Sequence, residues 1–226
     1  MRLLLVAATG LELAPLVGRL TPNGSPADRM QAFTHSSHEV DVLTTGVGMV
    51  ATATWCARAL ARQSYDLVLN LGVCGSFSTA SPLGAVVNVV SDGLPELGAE
   101  DGEQFLTVQQ LGLLGLDEPP FLGGRLVNPD PKAHAVVGAL PGVSGITVNT
   151  VHGDARSIER VVARLEPDVE SMEGAAFMYA CLVSGVRFAQ VRAVSNMVER
   201  RNRAAWKLKE AVAALNDVAL RVIEYA

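Results

Sequence analysis

Two polar side chains stand at the ends of apolar segments: Glu173, near the head of the run Asp168–Ser184, and Asn196, at the close of Phe188-Ala-Gln-Val-Arg-Ala-Val-Ser-Asn196. A third, Glu12, follows the apolar run Leu3–Ala8. A carboxylate in a dry neighbourhood can take up a proton or accept two hydroxyl hydrogen bonds in parallel, and an amide can both donate and accept. Each also has a purely structural reading. Glu12 and Glu173 sit where first-turn acids favour the helix dipole, and asparagine is a common turn residue.

The segments carrying these groups follow from hydrophobic periodicity. Leu3–Ala8 has the look of a strand buried on both faces. Leu13, Leu16, Val17 and Leu20 then recur on one face of a helix. Thr9-x-x-Glu12 fits a capping box, although Pro15 argues for a later helix start. Residues 29–45 resemble a hairpin, and a helix spans roughly 48–63. Leu67–Leu71 is a buried strand expected to empty into a glycine turn, Gly72–Ser76. Residues 85–91 form a strand, 93–145 is expected to be irregular and to cap a site, and 145–151 is another strand. Gly153-Asp154-Ala155 makes a turn, Ser157–Leu165 a helix, Asp168–Ser184 a helix with a carboxylate at its head, 188–196 a strand, and 200–225 a long helix. Strands alternating with helices across 226 residues predict one α/β domain.

Composition narrows the partners. The net charge of −5 gives no encouragement to nucleic-acid binding, and no apolar run approaches a membrane span. Cys56, Cys74 and Cys181 are odd in number and far apart, which suits a reducing cytoplasm better than a disulfide framework. His35, His38, His134 and His152 lack ligand spacing, so no metal is expected. Gly46-Val-Gly-Met-Val-Ala51 fits a dinucleotide fingerprint, but Asp66 begins the following strand, where a ribose-binding acid should end it.

Several motifs in one order carry a resemblance: Ala8-Thr-Gly-Leu-Glu12, Thr45-Gly-Val-Gly48, Asn70-Leu-Gly-Val-Cys-Gly75, Gly153-Asp-Ala155, Val169-Glu-Ser-Met-Glu-Gly-Ala175 and Val191-Arg-Ala-Val-Ser-Asn196. Together they are similar to the nucleoside phosphorylase/nucleosidase family, most closely its hydrolytic branch that includes 5'-methylthioadenosine/S-adenosylhomocysteine nucleosidase. The resemblance implies a three-layer α/β/α fold with a mixed central sheet, no metal or redox cofactor, a homo-oligomer of two or more chains, and cleavage of the N-glycosidic bond of a purine nucleoside. It assigns Glu12 to the attacking water, Glu173 to the ribose 2' and 3' hydroxyls, Met172 to the sugar face, and Cys74 and Gly75 to the substrate's edge. Asn196 falls where the nucleosidases carry an aspartate that protonates adenine. Arg156 falls where relatives hold an aromatic over the base, so it is either a substrate contact or a surface charge. In the same signature Glu170 has no matching role and is expected at the surface or as a cap; Asp154 is an orienting residue or a turn residue.

Two departures shape the expected reaction. An asparagine cannot protonate a base, but its NH2 can donate to the charge gathering on a 6-oxopurine, and phosphorylases that prefer 6-oxopurines carry asparagine there. Asn70 and Val73 stand where such phosphorylases hold an arginine and a serine for phosphate, and Val73 offers no side-chain hydrogen bond. Water is therefore the expected nucleophile. Trp206 lies among charged residues on the expected last helix, a position for covering a ligand or meeting another subunit. With Arg200, Arg201 and Arg203 beside it, the expected 5' substituent is extended or aromatic and ends in an anion. Phosphorolysis, methylthioadenosine hydrolysis and nucleoside binding without turnover remain the alternatives.

Overall fold

The computed structural model describes all residues, 1–226. In chain order the elements are β1 (Arg2–Ala7), α1 (Gly10–Val17), β2 (Thr21–Pro22), β3 (Met30–His35), β4 (His38–Thr44), α2 (Met49–Arg62), β5 (Leu67–Ser76), β6 (Val86–Gly93), β7 (Gly98–Asp101), β8 (Gln104–Thr107), β9 (Phe121–Leu122), β10 (Arg125–Val127), α3 (Ala135–Gly138), β11 (Gly142–Thr147), α4 (Ala155–Leu165), β12 (Val169–Ser171), α5 (Gly174–Ser184), β13 (Phe188–Met197), a 3-10 turn at Arg203–Ala205, and α6 (Leu208–Glu224). No helix is long and apolar enough to cross a membrane.

The central sheet is mixed and runs β2-β3-β4-β1-β5-β12-β11-β6-β10-β9. β13 pairs with both β5 and β6, so β5, β12, β11, β6 and β13 close on themselves as a ring. The alternation of side chains along β1 shows why the chain layers as it does. Leu3 and Leu5 enter an apolar cluster with Leu13 and Leu16 of α1 and Leu215 and Val222 of α6. Leu4 and Val6 enter the opposite cluster with Cys56 of α2 and Phe177 and Met178 of α5. Helices thus cover both faces, and strands buried on both sides read as continuous apolar runs.

Several expectations change. Gly72–Ser76 is no turn: β5 continues through it, paired with β13 to Ser76. Its glycines serve close packing instead, since a Cβ on Gly72 would lie 2.1 Å from Arg192 Nη1. The helix at Asp168 starts later, because Val169–Ser171 forms a strand in the sheet, and Asp168 accepts from the Ser144 amide and hydroxyl. The strand expected at 145–151 is Gly142–Thr147, shifted three residues towards the N-terminus by its pairing with β6. Residues 93–145 are more ordered than expected, with the separate β7–β8 hairpin and with β9 and β10 extending the main sheet. α1 begins at Gly10 despite Pro15, with both halves of the capping box formed. The last helix begins at Leu208, so Trp206 lies before it and not on it.

Candidate active site

β5 has a bare edge. β1 leaves it after Val6 pairs with Asn70, and β12 joins it only at Gly75. Openings at strand ends are the ligand crevices of α/β sheets. Glu12 reaches into this one: its Oε1 accepts from the Val73 amide at 3.4 Å, while Oε2 accepts from the Thr9 amide at 2.9 Å and the Thr9 hydroxyl at 3.1 Å. The capping box therefore also aims the carboxylate. α1 is fixed from behind by buried Asn216 of α6, which accepts from the Leu16 amide at 2.9 Å and donates to the Glu12 carbonyl at 2.7 Å.

Glu173 is the N-cap residue of α5 yet does not cap it. Its Oε1 accepts from the Gly48 amide at 2.9 Å, which leaves Oε2 without a protein donor. Gly48 has φ of +94°, a conformation that glycine takes without strain. The glycines of the dinucleotide-like motif thus shape the turn that presents one N–H to a carboxylate. That carboxylate stands where a pyrophosphate would have to lie.

Asn196 closes β13 after a bulge between Val194 and Asn196, which sets it beside Gly75. Gly75 also pairs with Glu170 on its other side. A Cβ on Gly75 would lie 3.2 Å from Asn196 Nδ2 and 3.5 Å from Glu170 Cγ, so both side chains reach over this glycine. Asn196 Oδ1 accepts from the Ser195 hydroxyl at 2.9 Å, and its NH2 donates to the Met197 carbonyl at 3.0 Å. One N–H of that amide stays free to donate.

The remaining expected residues divide. Met172 is half-buried between β12 and α5. Cys74 presents only backbone: its thiol lies in an apolar cluster with Val87, Val89 and Val194, and burial pushes it up to about 12. Arg156 is exposed in the first turn of α4, with no protein partner for its guanidinium. Asp154 caps that helix, accepting from the Arg156 and Ser157 amides. Trp206 is half-buried with the Arg201 guanidinium 5.2 Å from its ring centre. The amide of Lys207 donates to the Ser195 carbonyl at 2.8 Å, which ties this segment to the residue beside Asn196.

Two groups escaped the reading of the sequence. Arg192 is buried to 2 % exposure and forms no ion pair; its Nη2 donates to Asn70 Oδ1, its Nη1 packs on Gly72, and its Nε has no partner. It approaches the face of Gly72 that Glu12 Oε1 also approaches. An arginine within an apolar strand was the available signal, since a buried charge needs a reason. Glu170, expected at the surface or as a cap, is 3 % exposed and bonded to His152, with 2.7 Å between its Oε2 and the ring Nδ1. Its position in β12 buries it, and no periodicity marks a three-residue strand.

Residues 2–224 match the family model described as the phosphorylase superfamily. The chain is 33% identical over 227 residues to a futalosine hydrolase of Streptomyces coelicolor, covering 96% of this chain and 93% of that one. It is 31% identical over 182 residues to a futalosine hydrolase of Thermus thermophilus, covering 80% of each. Among solved structures, the adenine complex of the methylthioadenosine/S-adenosylhomocysteine nucleosidase from Colwellia psychrerythraea superposes with a TM-score of 0.83 at 19% identity, over 100% of this chain and 95% of that one. The futalosine hydrolase of Helicobacter pylori gives 0.83 at 13% identity, over 100% and 98%. These two likenesses concern the fold.

Proposed function

The chain belongs to the phosphorylase superfamily, and we propose that its reaction is hydrolysis of the N-glycosidic bond of futalosine, releasing hypoxanthine and dehypoxanthine futalosine. The observation that carries hydrolysis over phosphorolysis is the Glu12 carboxylate at the Val73 amide. It occupies with negative charge the backbone donor that a phosphate would need, and Asn70, beside it, is already bonded to the Val6 carbonyl and Arg192. A phosphate here would meet the Glu12 charge, offset in part by the Arg192 guanidinium on the same face of Gly72, whereas a neutral water meets no such repulsion. The futalosine hydrolases among the relatives and the amide at Asn196 support the choice of substrate.

In this reading the C1'–N9 bond breaks with its electron pair going to the purine, through an oxocarbenium-like sugar. Glu173, held by Gly48, accepts hydrogen bonds from the 2' and 3' hydroxyls through its free Oε2. Its negative charge, with that of Glu12, favours the cationic sugar over the neutral one, which is stabilisation specific to the transition state. Glu12 takes the proton of the attacking water. Met172 packs on the sugar, Cys74 and Gly75 offer backbone, and the free N–H of Asn196 donates to the departing 6-oxopurine. Trp206 covers the 5' substituent, with Arg200, Arg201 and Arg203 receiving its anionic end. The enzyme acts in the cytoplasm as a homo-oligomer.

A panel of futalosine, its 6-amino analogue, methylthioadenosine and inosine, with and without phosphate, tests this by release of free base. Phosphate-independent release, fastest from futalosine, is expected. Strict phosphate dependence would make the protein a phosphorylase, faster cleavage of the adenine substrates would reverse the reading of Asn196, and binding without turnover would leave a nucleoside-binding protein. Trp206→Ala should raise KM for futalosine far more than for inosine.

A further inference from the structure

Cleavage of a purine riboside is helped by a proton at the base, and Asn196 has none to give. The structure places Glu170 next to it and the His152 ring on Glu170. Glu170 and Asn196 flank Gly75 in one row across β12, β5 and β13, with both side chains over the same glycine. Glu170 is 3 % exposed, and its carboxylate is committed to a single residue. It accepts from the His152 amide at 3.1 Å through Oε1 and meets the His152 ring at 2.7 Å through Oε2. The ring packs edge-on to Phe77, the residue after β5, with centroids 6.2 Å apart. Its Nε2 has no partner in the protein, and the ring is 14 % exposed. A carboxylate on Nδ1 accepts that ring N–H and orients the ring, so that when the ring carries both protons Nε2 is the free donor.

We propose that the Glu170–His152 pair supplies the acid that Asn196 lacks. As the C1'–N9 bond breaks and its electron pair passes to the purine, His152 gives its Nε2 proton to the base. The imidazole left behind stays hydrogen-bonded to Glu170 and is reprotonated from solvent, while Glu12 takes a proton from the water that attacks C1'. Hypoxanthine leaves neutral. His152 is the catalytic residue and Glu170 a positioning residue. The cleft open to the ring carries Glu96, Glu100, Glu103, Arg160 and Arg164, charges of both signs. Glu170 is the one in contact with the ring. The proposal rests on the nucleosidase reading.

The test compares a substrate that needs a proton with one that does not. Futalosine, inosine and methylthioadenosine stand for the first kind; whichever the wild-type enzyme cleaves fastest is used. The second is 4-nitrophenyl β-D-ribofuranoside, whose phenolate leaves unaided. His152→Gln should lower kcat for the purine nucleoside by about a hundredfold or more, the range of general acid catalysis, and leave the nitrophenyl riboside within about threefold. Wild-type kcat should fall as pH rises and the acid is lost, and the variant should lack this alkaline limb. Glu170→Gln, which keeps an acceptor for the His152 amide, should show a smaller loss with the same selectivity, and it carries the test should His152→Gln not fold. A parallel loss on both substrates, or an alkaline limb that survives in both variants, would overturn the proposal and leave the pair as a pin for residues 149–154. Failure on futalosine with normal turnover of another purine nucleoside would reject the substrate and not the acid. A wild-type protein that cleaves no purine nucleoside would reject both.

Discussion

Asn216 offers the sharpest test of how the fold aims Glu12. It lies 204 residues from Glu12, is 4 % exposed, and joins α6 to the middle of α1 through the Glu12 carbonyl and the Leu16 amide. α1 needs this support because Pro15 contributes no N–H and its ring presses on the preceding turn. In Asn216→Ala both groups lose a buried partner. A lost hydrogen bond costs about 1 kcal/mol, and a buried group left unsatisfied about 1–3 kcal/mol. Because these two groups stand one helical turn apart and can partly re-pair, the expected loss is about 3 kcal/mol. For a chain of this size that is a fall in Tm of about 6–12 °C. The Glu12 carboxylate should also loosen, and on the proposal that it acts on the attacking water, kcat should fall about tenfold or more with KM little changed. Thermal unfolding followed by calorimetry and steady-state release of hypoxanthine measure the two effects. A Tm within about 2 °C of wild type, or a loss confined to KM, would refute the argument that α6 holds this acid in place.

Other outcomes follow from single contacts. Asn196→Asp replaces the donor proposed to face a 6-oxopurine by an acceptor and should slow hypoxanthine release about 10- to 100-fold, the value of a hydrogen bond to charge; a faster variant would refute it. Gly72→Ala would put a Cβ 2.1 Å from Arg192 Nη1 and 3.0 Å from Glu12 Oε1, so it should cost about 1–3 kcal/mol and most activity; urea unfolding and turnover check this, and near-wild-type values would count against the geometry. Burial pushes the Asp92 carboxyl from 3.8 up to about 7, with the Thr147 hydroxyl and Arg192 opposing. The native state then binds a proton that the unfolded chain releases near 4, so the stability from this group is full below about pH 4 and is lost as pH rises to about 7. Asp92→Asn removes this dependence; urea midpoints at pH 4.5 and 7.5 should differ less than in wild type, and parallel curves would contradict it.

The layers were legible in the sequence because apolar runs and their periods fix which faces are buried. β1, β4, β13 and α2 fall where periodicity puts them, and the glutamates at 12 and 173 stand at helix starts as expected. What escaped was set by partners distant in the chain. β5 runs on through its glycines because β13 pairs with it, and α6 starts late because residues 203–207 fold back on Ser195. Glu170 is buried by a strand too short to show a period, and Arg192 by a strand whose apolar neighbours conceal one charge.

The two ends of the main sheet have a bearing beyond catalysis. β2 and β9 are two residues long each, and β2 includes Pro22, which cannot donate to a neighbouring strand. The inner strands, among the most apolar segments of the chain, are closed off by β13 or flanked by these stubs. At these two ends a foreign strand finds little ladder to extend, and the bare stretch of β5 opens on the site instead. For a protein with 49% hydrophobic residues, resistance to edge-to-edge aggregation resides in its shortest elements.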